Sequence, residues 1–253
     1  MKKILLTLGI CLILSACANR PEEPDGFYYT PIKTDFFTLT GFEKNIKMGA
    51  PLRIYIEGNG NPNPRQTVAL SLAEKDPYQN VIYLTRPCQF SDDEVCDNSI
   101  IWKEAQFNVE IVNEMKNAIL QLMRKYHAPS VEFVGYDGGA TMALLLATRI
   151  PQTTRVITIA GILDTNAYTQ NNRNVSFKKS LNPADEKKQL STKTQIHYVG
   201  KKDKITPQKT AERFVATQNK AVNATVKAVN NVGHYDWLDV AFDYYQMPNS
   251  SKQ

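Results

Sequence analysis

The sequence predicts an α/β protein, with a mostly parallel sheet flanked by helices on both faces and no large cap domain. Three observations carry this reading. Strand-like and helix-like segments alternate along the chain. The later strands, Val131–Val134 and Val156–Ile159, are apolar on both faces, as strands are when a parallel sheet is covered on each side. The composition of the 253 residues, 42% hydrophobic and 22% charged, excludes collagen, coiled coil and extended disorder.

The chain opens on MKKILLTLGICLILSAC. Lys2 and Lys3 precede an apolar run from Ile4 to Leu14, and Ser15 and Ala16 lead to Cys17. This is the layout of a secretory signal, with an apolar run too short to span a bilayer as a helix. Leu14-Ser15-Ala16-Cys17 resembles the bacterial lipoprotein signal, in which the Cys is acylated and becomes the first residue after cleavage. That resemblance implies residues 1–17 as leader and a lasting membrane attachment through lipid on Cys17. Ala18 rather than Asp follows the Cys, so the resemblance favours the outer membrane, facing the periplasm. Ordinary secretion is the plainer alternative.

Residues 18–27 are polar and Pro-rich and read as a tether; residues 28–253 read as a single domain. Roughly 230 residues after the leader are enough for one sizeable core. The formal charge is +5, of which Lys2 and Lys3 supply two. No basic run of five or six accompanies it, which argues against nucleic acid as the main partner.

The elements follow in order. Phe27–Ile32 and Asp35–Thr40 are aromatic and β-branched, the expected antiparallel start of the sheet. Leu52–Ile56 is a strand ending in Glu57-Gly58-Asn59-Gly60, Val68–Ala73 a short helix, and Val81–Leu84 a strand leading to Cys88 and Cys96. In an oxidising compartment those two cysteines form a local disulfide. A metal site is the rival reading, but no His flanks either Cys.

Phe107–Met123 is the clearest helix, with Phe107, Ile111, Met115, Ala118, Ile119 and Leu122 on one face. Pro129 stops it. After the strand Val131–Val134 comes the turn Gly135-Tyr136-Asp137-Gly138-Gly139, then an apolar helix Thr141–Thr148 and the strand Val156–Ile159. An irregular stretch (162–192) precedes the strand Gln195–Val199. A helix at Pro207–Thr217, a strand at Thr225–Val229 and a final helix from about Asp236 complete the chain, with Asp236 as its N-cap.

Strand ends carry the chemistry in such sheets. Val134-Gly135-Tyr136-Asp137-Gly138-Gly139 has the flanking glycines and the strand-to-helix setting of the G-x-S-x-G nucleophile elbow, but with Asp at the centre. Gly200-Lys201-Lys202-Asp203-Lys204-Ile205-Thr206-Pro207 follows the next-but-one strand. Val232-Gly233-His234-Tyr235 follows the last. The order elbow, acid, His, together with IEGNG and the RPC…C loop, resembles the α/β-hydrolase superfamily over roughly residues 50–245. The resemblance implies that Asp137 takes the nucleophile position, Asp203 the acid position and His234 the base position. Gly138 N–H, with Asn59 or Gly60 N–H, takes the oxyanion hole.

Asp in place of Ser changes the reaction. A carboxylate needs no base to activate it and forms an ordinary ester at a saturated carbon, as in the haloalkane dehalogenases and epoxide hydrolases that such an elbow resembles. Those enzymes carry a helical cap; here Ala160–Thr194 is 35 residues, polar, with Tyr168 its only Tyr and no Trp. Two expectations follow: a hydrolase acting on a small ester, epoxide or halide-type substrate, or an idle hydrolase fold serving as an envelope binding or scaffold protein. In the idle case Asp137 and His234 form a structural ion pair. The other candidates have plainer roles. His127 reads as a surface residue at a helix end, His197 as a core histidine, Asp164 as a second candidate acid or a helix cap, and Trp102 and Trp237 as core. Lys201, Lys202 and Lys204 read as a solvated loop. No cofactor motif or metal-ligand spacing is present in the sequence.

Overall fold

The computed structural model describes residues 21–60, 67–91, 93–97, 101, 103–172, 175–218 and 223–247. The leader with Cys17, the first residues of the tether, and Trp102 lie outside these. Among the described residues ten strands are present: β1 Tyr28–Tyr29, β2 Ile32–Lys33, β3 Thr38–Leu39, β4 Gly41–Lys44, β5 Leu52–Ile56, β6 Val81–Leu84, β7 Val131–Tyr136, β8 Thr153–Ile159, β9 Thr194–Gly200 and β10 Ala224–Val229. The helices are α1 Val68–Lys75, α2 Val109–Lys125, α3 Gly138–Ala147, α4 Thr165–Asn171, α5 Lys187–Leu190 and α6 Gln208–Ala216.

Eight strands form one sheet in the order β1-β4-β6-β5-β7-β8-β9-β10. β1 and β4 are antiparallel to their neighbours, and every pair from β6 to β10 is parallel. The side chains of β5 alternate between the two faces: Leu52, Ile54 and Ile56 join one core cluster and Tyr55 the other. In β6, Ile82 and Leu84 divide from Val81 and Tyr83 in the same way. Both faces are therefore covered, as the apolar strands require.

α2 begins at Asn108, whose side chain accepts the Ile111 N–H and caps the helix. The helix ends where His127 takes a left-handed φ of 51°, exposed to solvent. α3 is buried along its whole length, which is why its sequence shows no polar face.

Three expectations need correction. Asp35–Thr40 does not join the main sheet: Thr38–Leu39 pairs with Ile32–Lys33 in a separate two-stranded sheet. The main sheet instead takes Gly41–Lys44, which the sequence reading passed over. Gly41 sits so close to Thr30 O that a Cβ would meet it at 2.6 Å, and this close approach marks the change of sheet. The final helix from Asp236 is also absent; the segment folds irregularly, with one 3-10 turn at Asp243–Gln246. Trp237 and Tyr244 are spaced as one helical face would be, but Phe242, buried as they are, would fall off that face. Asp236 accepts the Gly233 N–H at 2.9 Å and caps no helix. Trp237 is fully buried and stacks on Phe242.

Between β8 and β9 the described residues form only α4, a 3-10 turn Pro183–Asp185 and α5, so no large cap stands over the sheet. Asp164 is the N-cap of α4, accepting from Asn166 and Ala167 N–H at 3.0 Å each. Among the described residues no helix is long and apolar enough to cross a membrane.

Candidate active site

The site assembles at the carboxyl ends of β5, β7, β9 and the loop after β10. Asp137 follows β7 directly, with φ 50° and ψ −115°, a conformation that costs a non-glycine residue about 1–3 kcal/mol. The glycines around it make this turn feasible. A Cβ on Gly135 would meet Gly139 O at 2.4 Å, and one on Gly139 would meet Ile56 O at 2.2 Å. Strand, turn and helix are thus packed backbone to backbone, and residue 137 is thrust out at the crest.

β10 lies three strands from β7, a span of about 14 Å at ordinary strand spacing. The loop after β10 closes this distance by running back across the sheet end. Lys202 N–H donates to Val232 O at 2.9 Å, and the Tyr136 hydroxyl donates to His234 O at 3.1 Å. His234 Nδ1 then lies 2.9 Å from Asp203 Oδ2, and His234 Nε2 lies 3.5 Å from Asp137 Oδ1. The first distance is a formed hydrogen bond; the second is an ion-pair contact, long for a hydrogen bond. Asp137 and His234 are each 7% exposed and Asp203 6%.

Asp203 is held on all sides. Its Oδ1 accepts from Ile205 and Thr206 N–H at 2.8 and 2.9 Å, and its Oδ2 accepts from the Thr206 hydroxyl at 2.7 Å. Burial pushes this carboxyl up, but the bonds from His234 and Thr206 outweigh it and hold it below its ordinary value. For His234, burial works against the charged ring. The two carboxylates prevail and raise it to about 9, so the imidazole is protonated at neutral pH.

The second oxygen of Asp137 has its own partner: Asn59 N–H donates to Oδ2 at 3.0 Å. Of the two residues expected at this position, Asn59 is the one whose amide makes the contact. Gly60 lies next to it, half-buried. Gly138 opens α3, where an N–H has no partner within the helix. Asn59 also leans over this helix start, since a Cβ on Gly138 would meet Asn59 Oδ1 at 1.8 Å.

The remaining expectations are placed elsewhere. His197 lies inside β9, fully buried, and Lys201, Lys202 and Lys204 are exposed. Cys88 and Cys96 form a disulfide. Among the described residues no group of three or more His, Cys, Asp or Glu is arranged to hold a metal ion.

Sequence reading missed three contributors. Thr206 and Tyr136 sit beside the motifs, within TP and GYD, and a hydroxyl next to an acid or an elbow was the available signal. Arg86 is the third: its guanidinium donates to Gly58 O at 3.1 Å and to Asn59 Oδ1 at 3.0 Å, and no local pattern announces that.

The sequence matches no protein-family model, and no curated protein matches it. Solved structures do resemble it in fold. An esterase of Pyrococcus furiosus matches with a TM-score of 0.64 at 11% identity over 84% of each chain. Est1E from Butyrivibrio proteoclasticus matches with a TM-score of 0.61 at 14% identity, over 84% of this chain and 92% of that one. An acylaminoacyl peptidase of Pyrococcus horikoshii matches with a TM-score of 0.60 at 12% identity over 82% of this chain, which spans 37% of that protein's length. At these identities the likeness establishes the α/β-hydrolase fold.

Proposed function

We propose that this hydrolase-fold protein is an envelope hydrolase in which Asp137 attacks a small electrophile at a saturated carbon, of the epoxide or alkyl-halide kind. The observation that carries this reading is the division of labour on one carboxylate: Oδ2 rests on the Asn59 amide while Oδ1 faces His234 Nε2. Oδ1 forms the bond to carbon, and the leaving group departs with the electron pair of the bond that breaks. Asp137 is then a neutral ester. His234 has lost one of the two carboxylates that keep it charged, so its pKa falls and it releases its proton to solvent. Neutral Nε2 can now take a proton from water as the water oxygen attacks Cγ. Negative charge develops on Oδ2, where the Asn59 N–H is already placed to receive it, with the Gly138 N–H as second donor. The bond from Cγ to Oδ1 breaks, and the alcohol leaves with Oδ1 and takes the proton from His234; the carboxyl left behind, which holds the water oxygen and its second hydrogen, passes that proton to His234, so the carboxylate and the charged imidazole are both restored.

The test is intact-mass spectrometry of a His234→Ala variant incubated with epoxide, alkyl-halide and ester panels. Without the base, the ester on Asp137 accumulates and the protein gains the mass of the substrate's alkyl part. A panel that leaves no adduct, with no turnover by the unaltered protein, overturns the reading.

One observation favours a second reading. His234, charged at neutral pH between two carboxylates, is unfit as a base in the resting state, and Asp137–His234 then serves as a structural ion pair in a binding or scaffold protein. That reading expects no adduct anywhere and a wild-type cellular phenotype from Asp137→Ala.

For location we propose lipid anchoring through Cys17 at the outer membrane, facing the periplasm. The order of basic start, apolar run, small pair and Cys supports it, as does a disulfide suited to an oxidising compartment. Radiolabelled palmitate should enter the protein and fail to enter a Cys17→Ala variant; label in both would refute the anchor.

A further inference from the structure

Gly58 and Asn59 carry the amide that meets Asp137, yet they belong to a loop with glycine on either side, which has no stiffness of its own. Buried groups hold it from several directions. The Gly58 N–H donates to Glu57 Oε1 at 2.8 Å. The Gly58 carbonyl accepts from Gln89 Nε2 at 2.8 Å and from Arg86 Nη2 at 3.1 Å. The same Nη2 donates to Asn59 Oδ1 at 3.0 Å. Arg86 is 3% exposed, and its own N–H fixes Gln89 by donating to Oε1 at 2.9 Å. Its guanidinium lies 5.2 Å from the Phe107 ring centroid, and Nη1 reaches Gln106 Oε1 at 3.4 Å.

We infer that Arg86 is a positioning residue: from the short segment between β6 and the Cys88–Cys96 disulfide it clamps Gly58 and Asn59 so that the Asn59 N–H stays on the Asp137 carboxylate. A planar guanidinium suits this task, because one fork can serve a main-chain carbonyl and a side-chain oxygen together while its charge faces Asp137 and Glu57. Burial lowers the guanidinium to about 10 against the pull of those two carboxylates, so it stays charged at neutral pH. The Cys88–Cys96 bond closes the ring that contains Gln89 and that begins two residues after Arg86. The catalytic meaning of the clamp rests on the Asp137 reading above; its geometry does not.

The test therefore reads the amide rather than turnover. Amide hydrogen exchange and the proton shift of Asn59 are followed by NMR in the unaltered protein, in Asp137→Ala as the reference for a lost bond, and in Arg86→Met. The expected result for Arg86→Met is exchange at Asn59 faster by about tenfold, as loss of a charge-assisted bond implies. Its proton moves toward the Asp137→Ala position, while protection of the β7 amides is retained. Should Arg86→Met not fold, Asn59→Ala keeps the main-chain amide at 59 and removes the oxygen that Arg86 grips, and the same increase is expected. Asn59 exchange and shift unchanged in a folded Arg86→Met, or unchanged at position 59 in Asn59→Ala, would overturn the inference. A protein that forms no adduct yet shows the Arg86 effect would retire the Asp137 chemistry and leave the clamp standing.

Discussion

His197 and His234 are both buried, at 0% and 7% exposure, yet they carry opposite charge states. His197 lies inside β9, with Nδ1 2.8 Å from the Thr158 hydroxyl and its ring edge-on to Phe214. Burial alone acts on it and lowers it to about 3, so it is neutral. His234 meets Asp203 and Asp137, and these overcome burial and raise it to about 9. Depth decides the first case, and the charge of the neighbours decides the second. The two rings therefore pull stability in opposite directions along the pH scale. His234 is raised above 6.5, so its contribution is full below 6.5 and fades as pH rises toward 9. His197 is lowered, so its contribution is present above 6.5 and is lost as pH falls toward 3.

The sharpest way to break this contrast is Asp203→Ala. It leaves His234 with one carboxylate and strips the Ile205 and Thr206 amides of their acceptor, and should cost about 3 kcal/mol in urea unfolding, as removal of one partner of a buried pair does. Unchanged stability would mean that Asp203 does not set the His234 charge. A smaller effect is expected from His197→Phe. Between pH 6.5 and 5 the His197 linkage removes about 2 kcal/mol from the unaltered protein, and the variant should show a flatter acid limb by that amount in paired denaturation curves. Equal slopes would contradict a neutral His197. Smallest is Asp137→Ala, which should cost about 1–2 kcal/mol at pH 6 and less as pH rises through 9, where His234 loses its charge. The His234 ring should titrate below about 9 by NMR; a midpoint that stays put would remove Asp137 from the pair.

Local patterns in the sequence were enough for the parallel half of the fold. Strand Val131–Tyr136, its glycine-framed turn and the apolar helix after it are consecutive, and period and punctuation reveal them. The order of Asp137, Asp203 and His234 was legible for the same reason, each standing just past a strand. The antiparallel edge was not, because the change of sheet at Gly41 depends on the approach of Thr30, a contact that composition does not encode. The C-terminal segment misled through its richness in helix-compatible residues, while the burial of Trp237, Phe242 and Tyr244 required an irregular path. Arg86 stayed hidden in a loop whose partners, Gly58 and Asn59, lie more than twenty-five residues earlier.

Neither Gly135 nor Gly139 leaves room for a side chain, and between them they shape the crest on which position 137 stands. The crest is consequently an interchangeable mount: its backbone is dictated by neighbours, not by its occupant. Serine, cysteine or aspartate placed there would be presented to the same imidazole and the same main-chain donors. A panel of single exchanges at that one position would compare oxygen, sulfur and carboxylate attack with the surroundings held constant, and Asp137→Ser would ask how little separates this protein from an esterase.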